Sequence, residues 1–196
     1  MTYLGTIQFV QIQQESLKVD HDDTRHYDPS PLLTVARLNL TPDGVIGLTE
    51  AGDSIVDVHH TGHPRSRNRA DNFVSMGFLS HYAHMRDRFG DHLTDGIAGE
   101  NIIVANEGPD GTITPAMLGD SVRIETQDGM RIVLVDVLPT PPCEPFSRFA
   151  AGCNLAAPEM KTTLQFLSNG TRGFYMRLVE PLDEVMIQAG DRVFCG

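Results

Sequence analysis

Short apolar runs separated by glycine, proline and aspartate extend along most of the chain. Residues 4–12 alternate loosely between apolar and polar side chains, a pattern that predicts a first strand. Similar runs occur at residues 33–40, 45–48, 54–58, 101–105, 121–126, 131–138, 174–180 and 185–194. Many short strands with this punctuation indicate a barrel or a sandwich rather than a parallel α/β sheet.

A Gly-Asp pair precedes a short strand-like run at three places, which are Gly52-Asp53, Gly119-Asp120 and Gly190-Asp191. Glycine tolerates a positive φ and aspartate caps turns. We therefore interpret each pair as the entry to a strand rather than as a pair of metal ligands.

Helical periodicity is confined to three segments. Residues 71–89 carry apolar side chains at spacings of three or four and precede Gly90, which predicts a long helix ended by a glycine. Residues 145–151 and 158–167 have proline near their first turn and predict shorter helices. Residues 18–31 are charged and contain proline, so we expect an exposed loop there. The fold class is therefore mostly β (α+β), with a few helices inserted between strands.

Length and charge exclude several classes of protein. A chain of 196 residues is expected to form one domain, residues 1–196. Its 15 basic and 26 acidic side chains give a net charge of -11, which repels nucleic acids and anionic membranes. The sequence has no apolar stretch near the ~20 residues of a membrane span and no basic leader. With three cysteines, an odd count without clustering, a reducing, cytoplasmic setting is expected.

A positive island occupies residues 59–69 of this acidic chain. Its members are His59, His60, His63, Arg65, Arg67 and Arg69. Arginine forks match phosphate or carboxylate, so the island predicts an anion pocket, with a solvated basic loop as the equally simple alternative. Zinc is the less favoured third interpretation, because the His59 and His63 spacing suits a helix that Gly62 and Pro64 oppose.

The segment from Asp95 to Asn101 combines two glycines with three polar side chains before an apolar run. Backbone near Gly96 and Gly99 can approach a ligand closely and present N–H groups to an anion. Glu100 and Asn101 can then orient a substrate or hold a neighbouring histidine or arginine. An ordinary glycine-rich turn is the alternative.

Cys143 is the strongest candidate for chemistry. Prolines end the preceding strand, and Pro145 suits the first turn of a helix that ends near Gly152. Cys143 would then lie at the helix N-terminus, where the helix dipole and nearby cations favour the thiolate. A small buried apolar residue is the alternative interpretation of this cysteine, and the one we prefer for Cys153.

Arg172 lies between two glycines where the strand at residues 174–180 begins. Glycine on both sides lets the backbone turn tightly, so this arginine can reach a bound phosphate. An arginine on the surface is nearly as good an interpretation. The sequence thus offers Arg172 as one more anion contact.

In their order along the chain, these segments resemble the MOSC domain, named after the C-terminal part of molybdenum cofactor sulfurase. The residues that carry the resemblance are His59-His60-Thr61-Gly62 with Arg65, Gly96 to Asn101, Gly119-Asp120, Pro142-Cys143, Gly170 to Arg177 and Gly190-Asp191. The histidine turn and the Gly-Glu-Asn segment look closest to bacterial proteins of hydroxylaminopurine resistance. Two positions depart from the family pattern: Pro64 replaces the aspartate of an Asp-Arg pair, and Thr140-Pro141 stands where an arginine commonly precedes Pro-Cys.

The resemblance implies a MOSC-type β-barrel that binds molybdenum cofactor, a molybdopterin. It implies catalytic roles for Cys143, as metal ligand, and for Glu100 and His60, as proton donors. Cofactor-binding roles would fall to His59, Arg65, Arg67, Gly99, Asn101 and Arg172. The expected activity is a molybdenum-dependent oxidoreductase that reduces N-hydroxylated small molecules with a separate electron donor protein, since no flavin, iron–sulfur or nicotinamide signature is present.

Two alternatives remain open at the level of sequence. A sulfur carrier would hold a persulfide on Cys143 and receive its sulfur from a separate donor protein. A divergent domain would keep the barrel without the cofactor, because a fold does not guarantee the chemistry of its family.

Overall fold

A computed structural model describes residues 1–21, 24–69, 73–106, 112–179 and 185–196. This part of the chain contains fourteen strands and four helices. The strands are β1 (Thr2–Gln13), β2 (Lys18–His21), β3 (Thr24–Tyr27), β4 (Leu32–Val35), β5 (Arg37–Thr41), β6 (Gly44–Leu48), β7 (Ser54–Val56), β8 (Val74–Phe78), β9 (Ile102–Asn106), β10 (Ser121–Glu125), β11 (Arg131–Pro139), β12 (Phe174–Leu178), β13 (Met186–Gln188) and β14 (Arg192–Cys195). The helices are α1 (Leu79–Phe89), α2 (Pro115–Leu118), α3 (Glu144–Ala151) and α4 (Ala157–Leu167).

Seven of the described strands close into a barrel. Their order is β14-β10-β11-β12-β8-β9-β1, and β1 also pairs with β14, which closes the ring and leaves no open edge. β8 and β9 run parallel, joined by a crossover through α1, whereas the other neighbouring pairs of the ring are antiparallel. The prediction of a mostly β fold with inserted helices is confirmed.

Smaller sheets and the helices surround the barrel. β4 extends the barrel at β1, while β13, β5, β6 and β7 form a separate sheet of four strands. One apolar cluster joins the inward side chains of the barrel strands to this sheet. A second cluster joins α1, α3 and α4 to Tyr27 of the β2–β3 hairpin and includes the partly buried Cys143. The helix that follows Cys143 is therefore fixed to the barrel by aromatic packing.

The sequence prediction of one helix over residues 71–89 is wrong in its first part. Residues 74–78 form the fully buried strand β8, and the helix begins at Leu79, while residues 70–72 lie outside the described part. Val74 and Phe78 are four residues apart, a spacing that satisfies both the helical period of 3.6 and the strand period of 2. A strand buried on both faces also lacks the alternation that would distinguish it.

The expectation of an exposed loop at residues 18–31 is also corrected. β2 and β3 pair as an antiparallel hairpin, with Lys18 opposite Tyr27 and Asp20 opposite Arg25. The hairpin is polar and exposed apart from Tyr27, whose ring contacts Phe146 and Phe149 of α3 at centroid distances of 5.0 and 5.1 Å. Its single apolar anchor explains why hydrophobic periodicity did not reveal it.

Two other local predictions are confirmed. The helices expected at residues 145–151 and 158–167 are present, and Gly152 ends α3 in the left-handed conformation, with φ 66°. Each of the three Gly-Asp pairs precedes a strand. The runs expected at residues 33–40 and 185–194 are each divided between two strands, and residue 180 lies outside the described part.

β11 contains one residue more than its partner over the same length. Val135 pairs with Arg177 and Leu138 with Tyr175, so three steps along β11 match two along β12. Asp136 occupies this bulge with φ 54° and accepts a hydrogen bond from the Arg177 Nε at 2.6 Å. The end of β11 and the two residues after it, 138–141, follow this bulge and line a cavity.

Candidate functional site

A cavity of about 490 Å³ lies where the barrel meets the β2–β3 hairpin. Its walls come from the hairpin, from the loop of residues 58–69, from β8, from residues 98–101 before β9, and from the end of β11. Arg172 and Tyr175 complete it from the start of β12. Segments far apart in sequence therefore meet here, and they include most of the site residues that the sequence offered.

Cys143 is the N-cap residue of α3, as the proline and glycine pattern predicted. Its backbone carbonyl accepts hydrogen bonds from the Ser147 N–H at 3.0 Å and the Ser147 hydroxyl at 2.9 Å. The thiol is half-buried, and the Arg172 Nη1 lies 3.5 Å from its Sγ. The guanidinium therefore donates a hydrogen bond to this sulfur.

Arg172 is the buried cation of the site, with a relative exposure of 6%. Its Nη2 donates to the Ala98 carbonyl at 2.9 Å, and its guanidinium lies 4.2 Å from the centroid of the Phe146 ring. Burial opposes its charge, but nearby Cys143 and Tyr27 outweigh that effect and raise the pKa of Arg172. The guanidinium is therefore permanently charged. It supplies the cation that the sequence lacks next to Pro142-Cys143.

Glu100 is almost completely buried, next to the turn that carries Arg172. Its carboxylate accepts a hydrogen bond from the Tyr82 hydroxyl, which in turn accepts one from the Ala98 N–H at 3.1 Å. Burial raises the pKa of Glu100, although the Tyr82 hydrogen bond acts in the opposite sense. A carboxyl with a raised pKa can hold a proton closer to neutral pH than an exposed one can.

Asn101 ties three parts of the cavity wall together. Its Oδ1 accepts from the Ser75 hydroxyl at 2.9 Å and from the Ser75 N–H at 3.2 Å. Its Nδ2 donates to the Gln11 carbonyl at 3.3 Å and to the Asp57 Oδ2 at 3.1 Å. Both polar ends of this side chain are engaged within the protein, so Asn101 shapes the cavity.

Gly99 also lines the cavity, and it is required for close packing. Its φ is 97°, and a Cβ at this position would lie 2.7 Å from the Leu17 Cδ1 and 2.8 Å from the Gln13 Nε2. The Gly99 N–H donates to the Gly96 carbonyl at 2.9 Å. That donor is already engaged within its own turn, so the geometry gives no support to its expected contact with a phosphate.

His59 and His60 are neighbours in sequence with different surroundings. His59 lines the cavity, and its Nδ1 lies 2.9 Å from the Asp57 Oδ1. His60 is buried outside the cavity lining, where its Nδ1 accepts from the Gly62 N–H at 3.0 Å and its Nε2 lies 3.5 Å from the Thr41 Oγ1. The geometry therefore does not support a catalytic role for His60.

The cationic rim of the cavity consists of Lys18, Arg25, Arg67 and Arg69. All four are exposed, and Arg25 pairs with Asp20 across the hairpin at 2.8 Å. Arg65, in contrast, turns away from the rim and forms an ion pair with Glu15. Of the arginines in the positive island, Arg67 and Arg69 thus reach the cavity, whereas the expected contact from Arg65 is not supported by its position.

Two unpaired polar atoms indicate that the cavity suits a polar ligand. Within the described residues, the Thr140 Oγ1 and the Arg172 Nε are buried without a hydrogen-bond partner. Leaving such atoms unpaired costs roughly 1–3 kcal/mol each, a cost that a bound ligand can remove. A buried cation, an exposed cationic rim and a cysteine in contact with that buried cation fit an anionic pterin cofactor. The alternative of a zinc site has no geometric support, because no three His, Cys, Asp or Glu side chains of the described residues converge.

Sequence reasoning missed three residues of this site: Asp57, Tyr27 and Tyr175. Tyr27 anchors the hairpin, because its hydroxyl donates to the Ile97 carbonyl at 2.7 Å. Asp57 is buried at the end of a short apolar run, where a lone carboxylate is unusual. An aspartate two residues before the paired histidines was the available signal.

Comparison with known proteins defines the class. The fold is a mixed β-barrel with a cysteine at a helix N-terminus beside a cavity, and residues 57–194 match the sequence model of the MOSC domain. The chain therefore belongs to the MOSC domain family, which is associated with molybdenum cofactor binding or sulfur transfer. Comparison with curated protein sequences gives no match.

Solved structures agree with this assignment. The YuaD protein from Bacillus subtilis is 11% identical, with a TM-score of 0.56 over 96% of this chain and 93% of that one. YiiM from Geobacillus stearothermophilus is 15% identical, with a TM-score of 0.53 over 97% and 74%. YiiM from Escherichia coli is 13% identical, with a TM-score of 0.52 over 100% and 71%. At these identities the likeness establishes the fold. No helix among the described residues has the length and apolar character needed to cross a membrane.

Proposed function

We propose that this chain binds molybdenum cofactor in the cavity and reduces N-hydroxylated small molecules. The observation that carries the proposal is the contact between Cys143 and Arg172, which sets a thiol beside the buried cation that lines the cavity. A thiolate is a soft ligand of the kind that suits a molybdenum centre. When bound, the cofactor supplies the two-electron chemistry, and a separate protein supplies the electrons.

Different residues of the chain would bind different parts of the cofactor. Cys143 would hold the metal, and Arg172 would position its sulfur through their hydrogen bond. Arg67 would pair with the pterin phosphate, together with Lys18 and Arg25 of the rim. Thr140 has a buried hydroxyl without a protein partner among the described residues, so it would hydrogen-bond the pterin ring or the substrate.

The reduction of an N-hydroxylated compound consumes two electrons and two protons, breaks the N–O bond and releases an amine and water. The chain must therefore hold protons close to the substrate. Glu100 can hold one of them, because burial raises the pKa of its carboxyl. Its hydrogen bond with Tyr82 fixes the orientation of that carboxyl.

A sulfur carrier is the second candidate, and the same contact supports it. A persulfide on Cys143 would also be stabilised as an anion by Arg172, and sulfur would arrive from a separate donor protein. The two candidates differ in what the cavity holds: a pterin in the first, and only the sulfur of Cys143 in the second.

Metal and sulfur analysis of the purified protein separates the candidates. The protein would be produced in a host that makes molybdenum cofactor, beside Cys143→Ser and the control Cys153→Ser, whose thiol is exposed rather than buried as expected from the sequence. Cys143 differs from this control by its contact with Arg172. Stoichiometric molybdenum and fluorescent oxidised pterin that are lost only in Cys143→Ser would support the reductase. Cyanide-labile sulfur without molybdenum would support the carrier. Neither signal in the wild-type protein would refute both.

A further inference from the structure

The two carboxylate oxygens of Asp57 are occupied by N–H donors. The Asp57 Oδ2 accepts from the Gln13 N–H at 2.8 Å and from the Asn101 Nδ2 at 3.1 Å. The Asp57 Oδ1 accepts from the His59 N–H at 2.8 Å and faces the His59 Nδ1 at 2.9 Å. In three of these contacts, those with the two backbone N–H groups and the Asn101 amide, the nitrogen is the donor and Asp57 can only accept. Asp57 is the acceptor in all three at 1% exposure, so we assign the fourth contact as a hydrogen bond that the His59 Nδ1 donates to Oδ1.

This arrangement fixes the tautomer of His59. A neutral imidazole with its proton on Nδ1 has an unprotonated Nε2, and within the described residues that Nε2 has no protein partner. His59 lines the cavity with a side-chain exposure of 23%, and the Asn68 Nδ2 holds its backbone carbonyl at 2.8 Å. The ring is thus fixed on one side and accessible to a ligand on the other.

The charged groups near His59 come from three parts of the structure. Asp57 contacts its Nδ1, Arg67 and Arg69 lie on its own loop, and Glu100 lines the same cavity from the turn before β9. His60 has both ring nitrogens directed at protein atoms outside the cavity lining. Only the first histidine of the pair therefore has a nitrogen available for a ligand, as far as the described residues go.

We infer that Asp57 and His59 form a proton-transfer pair on the cavity wall, in which the His59 Nε2 is the atom that exchanges a proton with the substrate. The role rests on the proposed reductase activity. As the N–O bond breaks, imidazolium His59 gives its Nε2 proton to the departing hydroxyl oxygen, which leaves as water. The two electrons come from the separate donor protein, Glu100 gives the second proton to the substrate nitrogen, and both residues regain their protons from solvent. Asp57 acts as a positioning residue, since it stabilises the imidazolium without taking its proton.

The tautomer can be measured without substrate and without molybdenum. Nitrogen-15 NMR of the full chain with labelled histidines, compared with His59→Asn for assignment, is expected to show neutral His59 with its proton on Nδ1. Asp57→Asn, if folded, should shift His59 towards the Nε2–H tautomer. A wild-type His59 that carries its proton on Nε2 overturns the inference, whatever the metal content of the protein.

Turnover tests the chemical role. In His59→Asn the side-chain amide replaces the Nδ1 donor, so the hydrogen bond to Asp57 survives while the titrating Nε2 is removed. We expect a loss of about 100-fold in kcat with unchanged KM and molybdenum content. His84→Gln, an exposed histidine stacked on Phe166, is the control and should keep full activity. Wild-type kcat in His59→Asn overturns the inference, whereas a wild-type protein without molybdenum refutes the proposed reductase instead.

Discussion

The buried wall and the cationic rim of the cavity are built in opposite ways. On the wall, Asp57, Ser75 and Asn101 are nearly inaccessible and bonded to one another or to the backbone. At the rim, Lys18 and Arg67 are exposed side chains on a hairpin and a loop. A bonded, buried network holds its atoms in one position, whereas exposed cations act through a field that salt screens.

The buried wall therefore determines the geometry of the cavity, whereas the cationic rim attracts an anionic ligand. Removing a member of the wall leaves buried partners unsatisfied, so stability should fall. Removing a rim cation costs the fold little, because exposed charges contribute only about 0–1 kcal/mol. Substitutions in the buried wall and in the cationic rim should therefore differ in their effects on stability and on ligand affinity.

The largest effect is expected for Asn101→Ala. The substitution removes a side chain that bonds Ser75, Gln11 and Asp57 and leaves their polar atoms buried. We expect the free energy of unfolding to fall by roughly 3–5 kcal/mol, measured by urea denaturation. The control is Asn68→Ala. The Asn68 side chain is exposed, and among the described residues it donates one hydrogen bond, to the His59 carbonyl, so its loss should lower the free energy of unfolding by less than about 1 kcal/mol. Equal losses of unfolding free energy in the two variants would contradict a structural role for the hydrogen-bond network of the wall.

A smaller loss is expected for Gly77→Ala in β8. A Cβ at this position would lie 2.9 Å from the Glu100 Oε1 and 3.0 Å from its Cδ, so the carboxyl would have to move. We expect thermal and urea denaturation to show a loss of about 1–3 kcal/mol. The double variant Gly77→Ala/Glu100→Ala removes the clash and should lose less than the sum of the two single variants. Additive losses would contradict the proposed contact.

Glu100→Gln should change how stability depends on pH. Because burial raises the pKa of Glu100, the folded protein binds its proton more tightly than the unfolded chain does. The stability from that proton is complete below about pH 4.5, the ordinary value, and is lost as pH rises through the raised pKa. Above the raised pKa, the free energy of unfolding of Glu100→Gln should exceed that of the wild type by about 1.4 kcal/mol for each unit by which burial raises the pKa.

Denaturation curves between pH 4 and pH 8 would measure this difference, with the two proteins converging at the acidic end. Glu50→Gln, at an exposed position, is the matched control and should follow the wild type throughout. A Glu100→Gln variant that is less stable than the wild type at pH 8 would contradict the burial argument.

The smallest effect on stability is expected for Arg67→Gln at the rim. Its free energy of unfolding should change by less than about 0.5 kcal/mol. Its affinity for inorganic phosphate, measured by calorimetry at low salt, should fall about two- to five-fold, and the difference should shrink at high salt. Arg65→Gln is the control, because Arg65 pairs with Glu15 away from the cavity. An equal fall in phosphate affinity in both variants would contradict a phosphate contact at Arg67.

The sequence could predict those parts of the site that depend on local chemistry. Pro145 and Gly152 delimit α3 and place Cys143 at its N-terminus, and the glycines beside Arg172 indicate a functional arginine. The contact between Arg172 and Cys143 spans 29 residues and depends on the pairing of β11 with β12, which no local pattern encodes. Asp57 was missed because its role depends on two partners that other strands bring to it.

The fold shows the same limit. Closure of the barrel depends on the pairing of β1 with β9, near the middle of the chain, and with β14, at its other end. A spacing of four residues between Val74 and Phe78 fits a helix and a strand equally well. Only the pairing of β8 with β12 and β9 decides between them, and that pairing is tertiary.

The bulge at Asp136 has a consequence for what evolution or engineering can alter. Paired residues of an antiparallel pair lie on the same face, so the extra residue between Val135 and Leu138 is what places Leu138 opposite Tyr175 after three steps along β11 and two along β12. Substituting Asp136 would leave this residue count intact, whereas deleting it would force β11 either to lose the bulge or to change its register against β12. In this part of the molecule, the number of residues constrains the site more strongly than their identity does.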